Sequence, residues 1–251
     1  MAVYKLSEIE TNHIKRFTST FGGLDRAYGY PGHYGIPCGR LSLWSGEHGV
    51  GKTRLVAELM KRWAREGISS LIFQGEVSPE QFKGEKLGDF DSDLIGVSDD
   101  VDIEEQVHVI MDTGPQVAIF DSIQQIDEYR GGLGAKEIVR SLREIINVTG
   151  THVIFLSHLG KDGKTKGRTD ISHEVDIEGH LYTDEGIFYA SEHVFLMKLT
   201  KNRYGNVQEE LSFKHMSWGI KELLVGDTSD DEVSPVKKSA FISFMDGLRG
   251  R

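Results

Sequence analysis

The sequence predicts an α/β protein with a mostly parallel central sheet, flanked by helices, and an antiparallel edge. Short apolar segments rich in β-branched and aromatic residues alternate with segments of helical periodicity, as in sheets whose parallel strands are joined by helices. Two later apolar segments, 193–199 and 207–213, lie on either side of the short polar turn 201–206 and predict the antiparallel pair.

The spacing of apolar residues predicts the individual elements. Buried strands are expected at 41–45, 70–74, 117–121 and 152–157, with a shorter strand at 94–97. Helices are expected after the segment 46–53, ending near Gly67, and at 103–111 and 135–148, because apolar residues recur there every three or four positions.

Composition indicates one cytoplasmic globular domain. The chain has 251 residues, of which 38% are hydrophobic and 27% are charged. We expect no membrane association, because no apolar run approaches the roughly 20 residues of a membrane span and the first residues lack the apolar centre of a secretory signal. The single cysteine, Cys38, cannot form an internal disulfide or a cysteine zinc cluster. The formal net charge of -10 means that any nucleic-acid contact requires a local basic patch.

The composition changes near the carboxyl terminus. We expect residues 1–225 to form the core domain and the acidic, polar residues 226–235 to form a flexible linker. The tail, 236–251, places Phe241, Phe244, Met245 and Leu248 at helical spacing. This short amphipathic segment either docks on a protein partner or has no partner, and the sequence leaves both readings open.

A phosphate-binding loop is predicted between the first strand and the helix that follows it. Residues 46–53 read GEHGVGKT and fit the pattern G-x-x-x-x-G-K-[ST]. Glycines let backbone amides approach phosphate, and the helix amino terminus adds partial positive charge. Lys52 is expected to reach the β- and γ-phosphates of ATP, and the Thr53 hydroxyl to bind Mg²⁺. The candidate nucleotide-binding residues are Gly46, Glu47, His48, Gly49, Val50, Gly51, Lys52, Thr53 and Arg54.

Two carboxylates follow strands that we expect to neighbour this loop. Asp121 ends an apolar strand, as in a Walker B segment, and is expected to join the magnesium site. Glu76 follows the strand at 70–74 and is a candidate general base that polarises the attacking water. Glu47 is the alternative base, but its position in the loop usually faces away from the water.

Several motifs together resemble the RadA (Sms) branch of the RecA superfamily. They are GEHGVGKT, FQGEVS, FDSIQ, FLSHLGKDGKTKGR followed by ISHEVD, and KNRYG at 201–205. The resemblance runs from about Phe17 to Phe213 and implies a RecA-like P-loop ATPase fold. KNRYG is the most diagnostic segment, because the family carries K-N-R-F-G there, with Tyr204 replacing Phe in this chain.

The resemblance also suggests how subunits cooperate. Related hexameric helicases place a similar Lys/Arg pair against the ATP of the neighbouring subunit. Lys201 and Arg203 alternate along a strand end, so both are expected to project outward and neutralise charge on a γ-phosphate in trans. A ring or filament of identical subunits would then be required for turnover. The alternative reading is two solvated basic residues in a hairpin.

His158 and two loops complete the candidate sites implied by the resemblance. His158 follows the strand at 152–157, where relatives hold a polar sensor of the γ-phosphate. The loop after it corresponds to the second DNA-binding loop of RecA-like proteins, and the segment 124–134 resembles the first. The candidate contacts to single-stranded DNA are Arg130, Lys161, Lys164, Lys166 and Arg168. A solvated charged loop is the alternative, and His173, Glu174 and Asp176 are not expected to bind zinc.

The chain departs from the family at both ends. RadA proteins begin with a four-cysteine zinc finger and end with a Lon-protease-like domain, and we expect neither here. The expected function is that of a DNA-dependent ATPase of recombination and repair, which assembles on single-stranded DNA and promotes strand exchange or branch migration. The alternatives are a hexameric replicative-type helicase and a KaiC-like ATP-gated assembly switch that does not bind DNA.

Overall fold

All seven predicted strands belong to one mixed sheet. The computed structural model describes residues 14–129, 135–158, 171–183, 194–207 and 210–223. Within them the large sheet has nine strands in the order β11-β10-β9-β8-β3-β7-β6-β4-β5. The strands are β3 (Leu41–Gly46), β4 (Ser70–Gln74), β5 (Ile95–Ser98), β6 (Val117–Asp121), β7 (His152–His158), β8 (Ile177–Tyr182), β9 (Val194–Asn202), β10 (Glu210–Met216) and β11 (Gly219–Leu223).

Parallel and antiparallel strands occupy different halves of this sheet. Strands β8, β3, β7, β6, β4 and β5 pair in parallel, whereas β9, β10 and β11 continue from β8 as an antiparallel edge. A second sheet of two short strands, β1 (Arg16–Phe17) and β2 (Ile36–Pro37), lies outside the main sheet. The predicted fold class is confirmed.

Helices connect the strands over both faces of the sheet. They are α1 (Gly22–Tyr28), α2 (Lys52–Arg65), α3 (Pro79–Phe82), a π-helical turn (Lys83–Leu87), α4 (Ile103–Thr113), α5 (Ile123–Tyr129), α6 (Ala135–Thr149) and α7 (Ile171–Glu174). No helix in the described ranges has the length and apolar character needed to cross a membrane.

Two hydrophobic cores, one on each face, hold the helices to the sheet. The apolar stripe predicted for α2 is buried on the face that includes Trp44 and Ile72. The stripe of α6 packs with Leu43 and Phe120 on the other face. Because neighbouring residues of a strand point to opposite faces, Leu43 and Trp44 belong to different cores. Strands β3, β4, β6 and β7 are therefore buried on both faces, which explains their continuous apolar character.

The predicted antiparallel edge needs three corrections, the first of which is that strand β11 (Gly219–Leu223) was not predicted. Strand β9 continues to Asn202, so Lys201 lies in a strand and not in the turn, and β10 begins at Glu210, not at residue 207. Strand β8 was not predicted, although Ile177, Gly179 and Leu181 alternate with more exposed residues. Polar residues between these apolar positions concealed a strand that lies in the middle of the sheet. The linker 226–235 and the tail 236–251 lie outside the described residues and stay predictions.

Candidate active site

The phosphate-binding loop begins where β3 ends, beside the end of β7. Gly49 and Gly51 have φ angles of +81° and +106°, which disfavour any residue with a side chain. At Gly46, a Cβ atom would lie 2.6 Å from the carbonyl oxygen of Leu181. Helix α2 begins at Lys52 without a side-chain hydrogen bond to its amino terminus. Its first amide groups are therefore available to an anion, as the motif requires.

Lys52 lies inside the loop that precedes it. Its ammonium group donates hydrogen bonds to the carbonyl oxygens of Gly46 at 2.8 Å and of Glu47 at 2.9 Å. Burial lowers the pKa of Lys52, and the negative charges of Asp121 and Glu76 oppose that shift. Asp121 and Glu76 thus place negative charge near the ammonium group of Lys52.

Thr53 and Asp121 form the candidate magnesium site. The Thr53 hydroxyl donates to Oδ2 of Asp121 at 2.6 Å, and Nε2 of Gln74 donates to the same oxygen at 3.3 Å. Burial is the main cause that raises the pKa of Asp121. A hydroxyl and a carboxylate are oxygen ligands of the kind Mg²⁺ prefers, and Mg²⁺ usually takes further ligands from water and phosphate. These two residues fit the ion that the motif implies.

Glu76 lies at the mouth of the same site. Its side chain is 49% exposed, and Oε1 lies 3.7 Å from Nε2 of His158. Its backbone amide donates to Oε1 of Gln74 at 2.8 Å, so Gln74 bridges the turn of Glu76 and the carboxylate of Asp121. Gln74 was not singled out by the sequence reasoning, although it is the last residue of β4 and pairs with Asp121 of β6.

His158 is the last residue of β7 and faces both Glu76 and the phosphate-binding loop. Burial, followed by the positive charge of Lys52, lowers its pKa, so the neutral imidazole is favoured at pH 7. Its ring stacks on the ring of His48, with centroids 5.6 Å apart and an angle of 25° between the planes. The structure thus brings together Lys52, Thr53, Asp121, Glu76 and His158 at the carboxyl end of the parallel strands.

Lys201 and Arg203 lie at the other end of the sheet. Lys201 pairs with Glu178 of β8, and Glu178 pairs with Leu43 of β3. Leu43 precedes the start of the phosphate-binding loop by three residues, or about 10 Å along the strand. The two cations therefore do not belong to the group of side chains around Lys52 in the same subunit.

The outward orientation predicted for both cations is not seen for Lys201 in the single subunit, whereas Arg203 is half exposed. Lys201 donates to the carbonyl oxygens of Ser172 at 2.5 Å and of Val175 at 2.7 Å, next to α7. Arg203, whose side chain is 50% exposed, lies 3.1 Å from Oδ1 of Asp176. Buried Asp176 provides the negative charge that holds Arg203, and free carbonyl groups near the end of α7 attract Lys201.

The rest of the KNRYG segment is fixed to α1 and β1. Asn202 donates to the carbonyl oxygen of Ala27 at 2.8 Å, and Arg16 donates to that of Tyr204 at 2.9 Å. A Cβ atom at Gly205 would lie 2.6 Å from the carbonyl oxygens of Tyr28 and Gly29. Asn202 and Gly205 thus have structural contacts of their own, which the sequence reasoning did not assign to them.

Some of the remaining candidate residues lie among the described residues, and others lie outside them. Glu47 and Arg54 are exposed on either side of Lys52, and Val50 is buried beneath the loop. Asp176, which the sequence grouped with His173 and Glu174, also accepts from the amide of Leu41 at 3.1 Å. The five candidate DNA contacts, Arg130, Lys161, Lys164, Lys166 and Arg168, lie outside the described residues.

Comparison with known proteins agrees with this geometry. The chain is 28% identical to the DNA repair protein RadA of Halalkalibacterium halodurans over 256 residues, which cover 97% of the chain and 53% of that protein. The RadA protein of Streptococcus pneumoniae is 27% identical over 260 residues, with coverage of 98% and 58%. The predicted resemblance to RadA is confirmed. The chain spans about half the length of the curated relatives it matches, in agreement with a likeness to the ATPase core alone.

The fold has a counterpart of known structure. A KaiC-like protein from the hyperthermophilic archaeon Pyrococcus horikoshii superposes with a TM-score of 0.69 at 19% sequence identity. The match covers 84% of this chain and 100% of that one, and at this identity it bears on the fold alone. No protein-family model matches the chain.

Proposed function

We propose that this protein is a DNA-dependent ATPase of recombination and repair. It would assemble on single-stranded DNA, place ATP between adjacent subunits and promote strand exchange or branch migration. The observation that carries the nucleotide part is the 2.6 Å contact between Thr53 and Asp121, beside buried Lys52 at the end of β3. The DNA part is supported by the similarity to RadA and by the basic segment 161–168.

In the proposed mechanism, residues at the carboxyl end of the sheet hold and orient ATP. Lys52 leaves the carbonyl groups of its own loop and binds the β- and γ-phosphates, together with the first amides of α2. Thr53 and Asp121 would hold Mg²⁺, and the bound ion would neutralise charge on the phosphate oxygens. Gln74 keeps the Asp121 carboxylate in place through its amide nitrogen.

Glu76 is the proposed general base. Its carboxylate accepts a proton from a water molecule as the oxygen of that water attacks the γ-phosphorus and the bond to ADP breaks. Its half-exposed position gives water access, and its amide bond to Gln74 fixes the turn that carries it. His158 is the proposed sensor of the γ-phosphate. It is the last residue of β7, and its Nε2 lies 3.7 Å from Oε1 of Glu76.

Lys201 and Arg203 are proposed to act on the nucleotide of an adjacent subunit. Lys201 lies about 10 Å from the end of β3 that carries the phosphate-binding loop, toward the opposite end of the sheet. This distance from the loop of the same subunit supports a role in trans. The exposed half of Arg203 gives it access to a neighbour. On assembly it would exchange Asp176 for the γ-phosphate, whose charge is larger.

The test is ATP hydrolysis with and without single-stranded DNA, at low and moderate salt. The proposal predicts stimulation by DNA that weakens as salt rises, because phosphate contacts release counterions. Replacing Lys161, Lys164 and Lys166 together by Ala should remove the stimulation and leave basal turnover. Unstimulated turnover without DNA binding would contradict the DNA part and favour an ATP-gated assembly switch. Directional unwinding of a duplex would favour a helicase.

A further inference from the structure

His48 occupies a distinctive place in the phosphate-binding loop. Gly46 of β3 pairs directly with His158 of β7, so the loop begins beside the proposed sensor. A turn closed by the amide of Val50 and the carbonyl oxygen of Glu47, at 3.4 Å, encloses His48. Because Val50 is buried, this turn is anchored and the exposed side chain of His48 is directed across the end of β7.

The ring of His158 has few other supports. Its Nδ1 atom is buried and has no hydrogen-bond partner among the described residues. Its Nε2 atom lies 3.7 Å from the carboxylate of Glu76, too far for a short hydrogen bond. The stack on His48, with centroids 5.6 Å apart, is an offset aromatic contact of ordinary geometry. Among the described residues, the ring contact with His48 is therefore available to orient the His158 ring.

We propose that His48 is a positioning residue that orients His158, and through it Glu76, for the hydrolysis step. The inference rests on the proposed hydrolysis of ATP and deepens it. Phosphate binding fixes the backbone of the loop, and His48 carries this change to the end of β7 through ring contact. The expected consequence is that His48 affects kcat far more than the KM for ATP.

The test compares two substitutions at one position. His48→Phe keeps an aromatic face against His158, whereas His48→Ala removes it. We expect His48→Ala to lower kcat about 5- to 10-fold with the KM for ATP within about 2-fold, and His48→Phe to stay within about 2-fold of the wild type in both. His108→Ala, at an exposed histidine of α4 outside the site, is the control and should behave as the wild type.

A double-mutant cycle separates positioning from direct contact with phosphate. If His48 acts through His158, the variant with both residues replaced by Ala should have the kcat of His158→Ala alone. Additive losses in the double variant, or a loss in His48→Phe equal to that in His48→Ala, would overturn the inference. A raised KM with unchanged kcat in His48→Ala would also overturn it, because it would identify a phosphate ligand.

The failure of this inference is distinct from the failure of the proposed function. Wild-type kcat in His48→Ala, alongside normal turnover by the wild type, overturns the positioning role alone. Absence of ATP turnover by the wild-type protein, at any DNA concentration, overturns the proposed function and this inference with it.

Discussion

The two ends of the parallel strands differ in how their charged groups are held. At the carboxyl end, Lys52 and Asp121 contact groups of the loop and of neighbouring strands, and their pKa values are shifted by burial. At the amino end, Arg203 is half exposed and held by one buried carboxylate, that of Asp176. The first arrangement is typical of a preformed binding site, whereas the second leaves a cation available to another molecule. This difference supports the proposal that one site is assembled from two subunits.

The largest expected effect on ATP turnover comes from a substitution at the carboxyl end of the parallel strands. Lys52→Ala should abolish ATP turnover and weaken nucleotide binding, because the phosphate charge loses a buried cation. Binding of a fluorescent ATP analogue and steady-state turnover measure the two effects. Lys201→Ala is the matched control, since it removes a lysine of the other end and should leave nucleotide binding by the single subunit intact. Equal loss of binding in both variants would contradict the division between the two ends.

Arg203→Ala should have the next largest effect. We expect kcat to fall by about 10³-fold, with ATP binding unchanged, because the cation acts on the charge that develops during transfer. Arg16→Ala would instead release the backbone of Tyr204 and is expected to reduce stability as well as activity. If Arg203→Ala lowered ATP affinity and left kcat unchanged, the residue would have no role in the transition state.

Glu76→Gln tests the proposed general base at the carboxyl end of the parallel strands. The substitution keeps the shape of the side chain and removes its basicity, so ATP should still bind while kcat falls by about 10²-fold. Single-turnover measurement of phosphate release checks the chemical step directly. Glu47→Gln is the matched control, and a loss there equal to that in Glu76→Gln would favour Glu47 as the base.

The smallest effect concerns the amino end of the sheet. His152 is fully buried, donates from Nδ1 to the carbonyl oxygen of Pro37 at 2.7 Å and accepts from Ser42. Burial lowers the pKa of His152 to about 4 from the usual 6.5. The unfolded chain therefore binds a proton below pH 6.5 that the folded chain takes up only near pH 4, and the free energy of unfolding should fall by up to about 3 kcal/mol across that range. Chemical denaturation at pH 7 and at pH 4 measures this loss.

The variant His152→Gln separates the contribution of His152 to the pH dependence of stability from the contribution of the carboxylates. Glutamine keeps a donor and an acceptor but does not titrate, so stability should depend less steeply on pH between 6.5 and 4 than in the wild type. Identical pH dependence in the two proteins would show that His152 does not have the lowered pKa. ATP binding at pH 7 should be unaffected by the substitution if the two ends are independent.

The sequence predicted local features well and long-range ones poorly. Strands β4 and β6 were predicted with their observed limits, because a run of apolar residues ends in each case at a polar one. Strand β8 was missed, since polar Glu178 and His180 interrupt its apolar positions. The grouping around Lys52 followed from the phosphate-loop pattern, whereas the bridge by Gln74 depends on strand order, which no local pattern contains.

The position of the KNRYG segment in the fold also could not be predicted from local sequence. The motif was recognised from its residues, but its contacts with α1 and Asp176 join parts of the chain far apart in sequence. The register of β9 with β8 places Lys201 inside a strand, opposite Glu178, and Ile177 and Leu199 of these two strands belong to the same core. Spacing along the chain carried no information about either feature.

Mixing two inactive variants tests the central claim most directly. Lys52→Ala subunits retain Arg203, and Arg203→Ala subunits retain an intact phosphate-binding end. If one site is built from two subunits, mixed assemblies should regain part of the wild-type ATP turnover, with a maximum near equal proportions. Turnover that stays at the level of the separate variants, in mixtures shown by labelled subunits to co-assemble, would contradict the claim.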